Sequence, residues 1–312
     1  DLHSFPTRRS SDLQLVTALD HFNLNIKEGE ILGLLGPNGS GKTTFINCLL
    51  SLLKYDKGEI KIFGSAMSPT NYSVKANIGL VPQELILLED LSVKENIDFF
   101  CSLYVSDYKK RKQLVEEAME FVELKKYENF SQKKLSGGLK RRLNIACGIA
   151  HKPKLLILDE PTVAVDAQSR NFILSGLKKL SRTGTTIIYT THYIEEADEL
   201  CSRIVIIDKG KNIIDGSPHE LKSNISISEK IFISIVNDND KVQEILKTLP
   251  NLTGIEKNES EYILYFKKST TNITDLVNKL NENSYYYSKI FSEEPTLNDV
   301  FLELTGKELR DR

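Results

Sequence analysis

The sequence predicts an α/β fold built on a mostly parallel sheet, with a helical insert in its middle and a small α+β unit at its end. Three observations predict it. The runs Ile31–Leu35, Ile78–Val81, 155–158, 186–190 and 204–207 are continuously apolar rather than alternating, as strands buried on both faces are. Helical patterns separate them, among them 44–53 and 168–180, and that alternation belongs to a layered α/β protein. Two stretches break the rhythm: 87–150 reads as helices without strands, and the chain beyond about Ser223 reads as a separate unit.

In chain order, the first residues stand apart. His3-Ser4-Phe5-Pro6-Thr7-Arg8-Arg9-Ser10-Ser11-Asp12-Leu13 resembles the translation of a common sequencing adapter, with neither a signal peptide's apolar region nor a usable periodicity. We expect 1–13 to be foreign to the fold, native sequence to resume near Gln14, and the sheet domain to span 14–222. Strand 31–35 runs into a glycine-rich loop and then a helix. Strand 78–81 leads to Gln83, where strands give way to helices. Leu114, Val115, Ala118, Phe121 and Val122 share one face of a helix that opens in the Lys109–Lys112 run. Strand 155–158 ends in Asp159-Glu160, helix 168–180 follows, and strand 186–190 precedes His192. Over 223–312 the order is strand 231–236, helix 242–249, strands near 254–257 and 262–266, helix 273–280 and strand 286–291. That βαββαβ order fits a ferredoxin-like unit, and a last helix is expected at Leu297–Thr305.

Lys plus Arg number 41 and Asp plus Glu 43, for a net charge of -2, so the composition carries no electrostatic footprint for nucleic acid. The basic clusters Lys109-Lys110-Arg111-Lys112 and Lys140-Arg141-Arg142 read as solvated helix faces. Cys48, Cys101, Cys147 and Cys201 are scattered without a Cys-x-x-Cys pair, the pattern of reduced, mostly buried thiols in a cytosolic protein. No apolar run approaches the ~18–20 residues of a membrane span.

Gly36-Pro37-Asn38-Gly39-Ser40-Gly41-Lys42-Thr43 matches G-x-x-x-x-G-K-[ST], after a strand and opening a helix through Thr44. Glycines let backbone N–H groups turn inward around phosphate oxygens, and the helix N-terminus adds positive potential. This P-loop makes residues 36–44 candidate nucleotide contacts, with Lys42 on the β/γ-phosphates and the Thr43 hydroxyl on Mg²⁺. Asp159 and Glu160 close a buried strand at the carboxyl edge of the sheet, beside the phosphates. Asp159 is suited to hold Mg²⁺ through water, and Glu160 to polarise the attacking water.

Together these residues resemble the ATP-binding subunit of an ABC (ATP-binding cassette) transporter. The resemblance covers about 15–220, with the motifs in the family's order: the P-loop, Gln83, Leu135-Ser136-Gly137-Gly138, the carboxylate-tipped strand, Asp166 and His192. It implies a P-loop NTPase cassette, bound ATP and Mg²⁺, a second ATP-binding subunit in a homodimer, and a separate membrane permease whose attachment holds the chain at the cytoplasmic face of the membrane. By the same resemblance Gln83 ligates Mg²⁺ and senses the permease, and His192 contacts the γ-phosphate. Asp166 lies at the dimer seam, and Ser136, Gly137 and Gly138 serve the nucleotide of the other subunit.

Three departures stand out. Val163-Ala164-Val165 replaces the commoner Ser-Ala-Leu or Gly-Leu before Asp166, and Leu139 stands where the family usually has Gln. The Ser hydroxyl and glycine N–H groups make the phosphate contact, so the signature keeps its chemistry. The adenine-stacking aromatic is implied some residues before Ala18-Leu19-Asp20, in the foreign-looking segment, and no residue is assigned to it. The tail Glu294-Pro295-Thr296-Leu297-Asn298-Asp299-Val300-Phe301-Leu302 resembles that of drug-export ATPases of the daunorubicin-resistance type. Two rivals remain: a soluble ABC ATPase acting on ribosomes or DNA, and a regulatory module with a degenerate site. Against the first stands the lack of a second cassette or long coiled coil, and against the second the presence of Lys42, Asp159, Glu160 and His192.

Overall fold

The computed structural model describes residues 17–225, 229–259, 261–267 and 269–305. The 1–13 segment and the expected start at Gln14 lie outside the described residues. The first part of the chain runs β1 (Ile31–Leu35), α1 (Lys42–Leu49), β2 (Lys61–Ile62), β3 (Ser65–Ala66), α2 (Tyr72–Lys75), β4 (Ile78–Val81), α3 (Val93–Ser102), α4 (Tyr108–Phe121) and α5 (Gly137–Ile149). It continues through β5 (Leu155–Asp159), α6 (Ala167–Arg182), β6 (Thr186–Thr191), α7 (Ile194–Leu200), β7 (Arg203–Asp208), β8 (Lys211–Gly216) and α8 (Pro218–Ser223). The last part comprises β9 (Glu229–Ile235), α9 (Asp240–Leu246), β10 (Leu252–Asn258), β11 (Glu261–Phe266), α10 (Asn272–Glu282), β12 (Tyr287–Glu293) and α11 (Leu297–Thr305).

The main sheet has the order β4-β5-β6-β1-β7-β8, parallel except for β8 against β7. Every residue of β1, β5 and β6 is buried, the reason these runs lack alternation. Leu156, Leu158 and Tyr189 face a core shared with α5, α6 and α7. Leu155, Ile157 and Ile188 face the opposite layer, with Ile46 of α1 and Val74 of α2. Strand β8 escaped the sequence reading because its residues alternate between exposed and half-buried, and its only apolar pair, Ile213-Ile214, is flanked by polar residues. Helix α1 is shorter than the expected 44–53: the chain turns at Ser51, in the left-handed region at φ 54°, and leaves Leu52 65 % exposed.

Helices α3 and α4 form a helical layer with α5 around Val93, Ile97, Leu114, Met119 and Leu143. The Ser92–Glu95 capping box starts α3, and the Asp107 carboxylate caps α4. The expectation that Lys140-Arg141-Arg142 is a solvated face fails. Arg141 is buried and donates to the carbonyls of Pro82 (3.1 Å) and Gln83 (2.7 Å), while Arg142 lies 3.7 Å from the Phe172 ring. The first turn of α5 faces the loop after β4 and helix α6, so its long side chains find partners there instead of water. All four cysteines are free and buried, and burial pushes the Cys101 thiol up to about 11.

The C-terminal sheet has the order β10-β11-β9-β12, antiparallel throughout, with α9 and α10 covering one face. That is the arrangement expected of a ferredoxin-like βαββαβ unit. Helix α11 does not stay with it. Leu297, Val300 and Phe301 enter the core of the main sheet beside Ile194, Ala197 and Leu221. Asp299 of α11 pairs with Lys230 of β9, joining the two parts through a nearly buried ion pair. Removing a buried aromatic ring from that contact costs about 3–5 kcal/mol. Phe301→Ala is therefore expected to lower the urea midpoint for unfolding of the main sheet, and an unchanged midpoint would mean that α11 only decorates the fold.

Candidate active site

Parallel strands end together, and here that geometry gathers the chemistry at one edge. Leu35 pairs with Thr191 on one side, Asp159 pairs with Thr190, and Val81 lies level with Leu158. The loop after Leu35, the carboxylates after Leu158, His192 and the loop holding Gln83 therefore emerge side by side. The loop 36–41 turns into α1 through Gly41, at φ 114°, a conformation that a side chain would strain. A Cβ there would also lie 2.9 Å from the Ala18 carbonyl, so residues before β1 pack beneath the loop. The Gly210 N–H donates to the Ser40 carbonyl at 2.8 Å and anchors the loop from the β7–β8 turn. Asn38 and Gly39 form its exposed tip, Pro37 and Thr44 are half-buried, and Thr43 is exposed. Ser40 Oγ is buried without a hydrogen-bond partner among the described residues. A donor left idle beside a turned-in loop fits an oxygen-rich ligand such as phosphate.

Two hydrogen-bonded chains cross the strand ends. In the first, Thr43 Oγ1 donates to Asp159 Oδ2 at 3.0 Å and Thr190 Oγ1 donates to Asp159 Oδ1 at 2.5 Å. In the second, Lys42 Nζ lies 3.1 Å from Glu160 Oε1, and His192 Nδ1 donates to Glu160 Oε2 at 2.7 Å. Lys42 is 5 % exposed and Glu160 4 % exposed, so this pair is shielded from water. Lys42 also donates to the carbonyls of Gly36 (2.7 Å) and Pro37 (3.2 Å), which curls it back over its own loop. Glu160 adopts φ 47°, left-handed backbone rare for a non-glycine residue, and its N–H is held by Thr190 Oγ1 at 3.0 Å. No cluster of three His, Cys, Asp or Glu that could hold a metal occurs among the described residues. The hydroxyl of Thr43 and the carboxylate of Asp159 are hard oxygen donors, and a Mg²⁺ ion needs few of these because it keeps waters and phosphate oxygens as ligands.

The remaining candidates fall elsewhere. The Gln83 side chain is exposed, while its carbonyl is pinned by Arg141. Ser136 caps α5, accepting from the Leu139 N–H at 3.4 Å, and Ser136 and Gly137 are exposed. Gly138 is buried: a Cβ there would lie 2.3 Å from Ser169 Oγ and 2.8 Å from Asp166 Oδ2. Asp166 caps α6 by accepting from the Ser169 N–H at 2.8 Å, and that hydrogen bond lowers its carboxyl pKa below the ordinary value. Ser136, Gly137 and Gly138 thus share a second cluster with Asp166, built from the N-termini of α5 and α6. The sequence reading missed Thr190, Arg141 and Gly210. The turn from apolar residues to Thr190-Thr191 at the end of β6 was the only signal for Thr190, and nothing local marks the other two.

Residues 19–163 match the family model described as ABC transporter, and residues 216–305 that described as ATP-binding protein DrrA1-3-like, C-terminal domain. A linearmycin resistance ATP-binding protein of Bacillus subtilis (strain 168) is 36 % identical over 297 residues, covering 95 % of this chain and 96 % of that protein. A daunorubicin resistance ATP-binding protein of Streptomyces coeruleorubidus is 33 % identical over 293 residues, covering 93 % of this chain and 90 % of the relative. Among solved structures, a dimeric ATP-binding cassette in a post-hydrolysis state with ADP and Pi superposes with a TM-score of 0.59 at 30 % identity, over 65 % of this chain and 91 % of its own. The second match explains the C-terminal unit, and the two relatives run through both parts of the chain. The chain belongs to the ABC transporter family, as one of its ATP-binding, ATP-hydrolysing subunits.

Proposed function

We propose that two copies of this chain close head to tail around two ATP molecules and drive export of a drug, antibiotic or lipid-like compound through a separate membrane permease. The observation that carries the reading is the buried Lys42–Glu160 pair beside the phosphate loop, with the partly buried His192 on the second carboxylate oxygen. Lys42 exchanges Glu160 for the β/γ-phosphates when nucleotide enters, which frees the Glu160 carboxylate to accept the proton of the attacking water. His192, already oriented by Glu160, meets the γ-phosphate. The backbone N–H groups of 38–41 wrap the phosphates together with Thr44. Thr43, Asp159 and Gln83 hold Mg²⁺, which when bound neutralises charge on the phosphates.

Ser136, Gly137 and Gly138 serve the nucleotide of the opposite copy. Support comes from the exposed Ser136 and Gly137 at the positive end of α5, next to Asp166 at the seam. A solved relative at 30 % identity is itself dimeric. No described helix is long and apolar enough to cross a membrane. The permease reading draws on the exposed apolar side chains around α3, among them Leu85, Ile86, Phe99, Tyr104 and Leu103, the last 63 % exposed. Leu85 and Ile86 follow Gln83 in the chain, and exposed apolar side chains of this kind suit the cytoplasmic side of a membrane subunit. The drug cargo rests on the linearmycin and daunorubicin resistance relatives and on the C-terminal match.

Glu160→Gln is expected to slow phosphate release by about 10²–10⁴ and to leave an ATP-bound dimer that persists on gel filtration. Turnover at the parental rate would refute the role of Glu160. A mixing experiment tests the shared site. Lys42→Ala and Ser136→Arg chains are each expected to be inactive alone, and activity should return on mixing, because the heterodimer carries one intact pair of half-sites. No recovery from two folded partners would argue that each chain completes its own site.

A further inference from the structure

One buried carboxylate has no part in the reading above. Glu196 of α7 is 2 % exposed, and its Oε2 accepts three hydroxyls: Thr162 Oγ1 at 2.7 Å, Tyr189 OH at 2.7 Å and Thr191 Oγ1 at 3.3 Å. Its Oε1 is buried and has no hydrogen-bond partner among the described residues. Removing a carboxylate from water with one oxygen unpaired is costly, and a leucine or methionine would fill the space without that cost. What the carboxylate adds is one acceptor point for donors from separate segments. Thr162 lies two residues after Glu160, Thr191 immediately precedes His192, and the fully buried Tyr189 lies two residues before Thr191 on β6. Thr162 Oγ1 and Tyr189 OH also lie within hydrogen-bond distance of each other, at 3.2 Å. Burial first, then the charge of Glu196, keeps the Tyr189 hydroxyl protonated far above the ordinary phenol range, so it remains a donor.

We infer that Glu196 is a positioning residue for hydrolysis: by gathering the hydroxyls of Thr162, Tyr189 and Thr191 it fixes the loop of Glu160 and the strand end of His192 relative to each other. The backbone of Glu160 gives this clamp a task. A glutamate at φ 47° persists only where its surroundings over-determine it. Thr190 holds the N–H of Glu160, and Glu196 holds the loop two residues beyond, through Thr162. Lys42 is held by the carbonyls of Gly36 and Pro37 and by Glu160 Oε1, contacts that do not run through Glu196, so nucleotide binding is expected to be independent of it.

The inference rests on the proposed role of Glu160, and the test separates the two. ATP turnover and ATP affinity are measured on the assembled transporter for Glu196→Gln, Thr162→Val, Thr162→Ser and Glu160→Gln, and for Glu160→Gln combined with Glu196→Gln. Glu196→Gln and Thr162→Val are expected to lower kcat by about 10–100-fold while the KM for ATP stays within about twofold, as loss of an interaction made only in the transition state does. Thr162→Ser, which keeps the hydroxyl, is expected to restore most of kcat. In the double variant Glu196→Gln adds no further loss, because it acts through Glu160. A parental kcat for Glu196→Gln beside a stalled Glu160→Gln overturns this inference alone. Loss of ATP affinity and melting temperature together with kcat also overturns it, in favour of a purely structural carboxylate. Normal turnover by Glu160→Gln overturns the reading on which the inference rests.

Discussion

Glu160 meets a lysine on one side and an imidazole on the other with almost no solvent to share its charge, and that constraint reaches through the fold. Taking such ions out of water costs several kcal/mol each, repaid only by good geometry and further hydrogen bonds. Lys42 finds these on two carbonyls of its own loop, and the Glu160 backbone finds one on Thr190. The geometry follows from the sheet. Because β5 and β6 run parallel and in register, Asp159 lies opposite Thr190, and Glu160 and His192, the first residues past the ends of the two strands, leave the sheet side by side. A one-residue slip would turn every side chain of a strand to the other face.

The N-termini of α5 and α6 follow a different logic. Gly138 is buried because no side chain fits between α5 and the Asp166–Ser169 cap of α6, whereas Ser136 and Gly137 remain open to solvent. That asymmetry locks the two helix starts to each other and leaves their donors outward. Leu139, where the family usually has glutamine, is half-buried against the core of the helical layer and gives only its backbone N–H to Ser136. The substitution therefore changes packing behind the helix start and leaves the outward donors untouched.

The C-terminal unit is tied to this edge of the sheet by packing. Helix α11 lies against α7 and α8, and α7 begins two residues after His192 and carries Glu196. The Lys230–Asp299 pair continues the contact into β9. A compact ferredoxin-like unit thus hangs on the same helix whose buried carboxylate gathers Thr162, Tyr189 and Thr191.

Local chemistry carried much of the outline. Strand and helix type in the main sheet was legible because burial on both faces writes itself as unbroken apolar runs, and the P-loop is legible because glycine spacing and a lysine are contiguous in the chain. Strand β8 and the turn at Ser51 were not, since a half-buried edge strand and a helix end depend on neighbours far away in sequence. Arg141 shows the same limit: a basic triplet reads as solvated until the β4 loop closes over it. By itself the sequence determined the α/β class, the ferredoxin-like tail and the identity of Lys42, Asp159, Glu160 and His192 as candidates. Only the tertiary structure decided that Lys42 and His192 share the Glu160 carboxylate, that Thr190 braces both acidic residues, and that Glu196 gathers three hydroxyls behind them. Those contacts join residues from separate segments of the chain, and no local pattern encodes a distance that exists only once parallel strands have been brought into register.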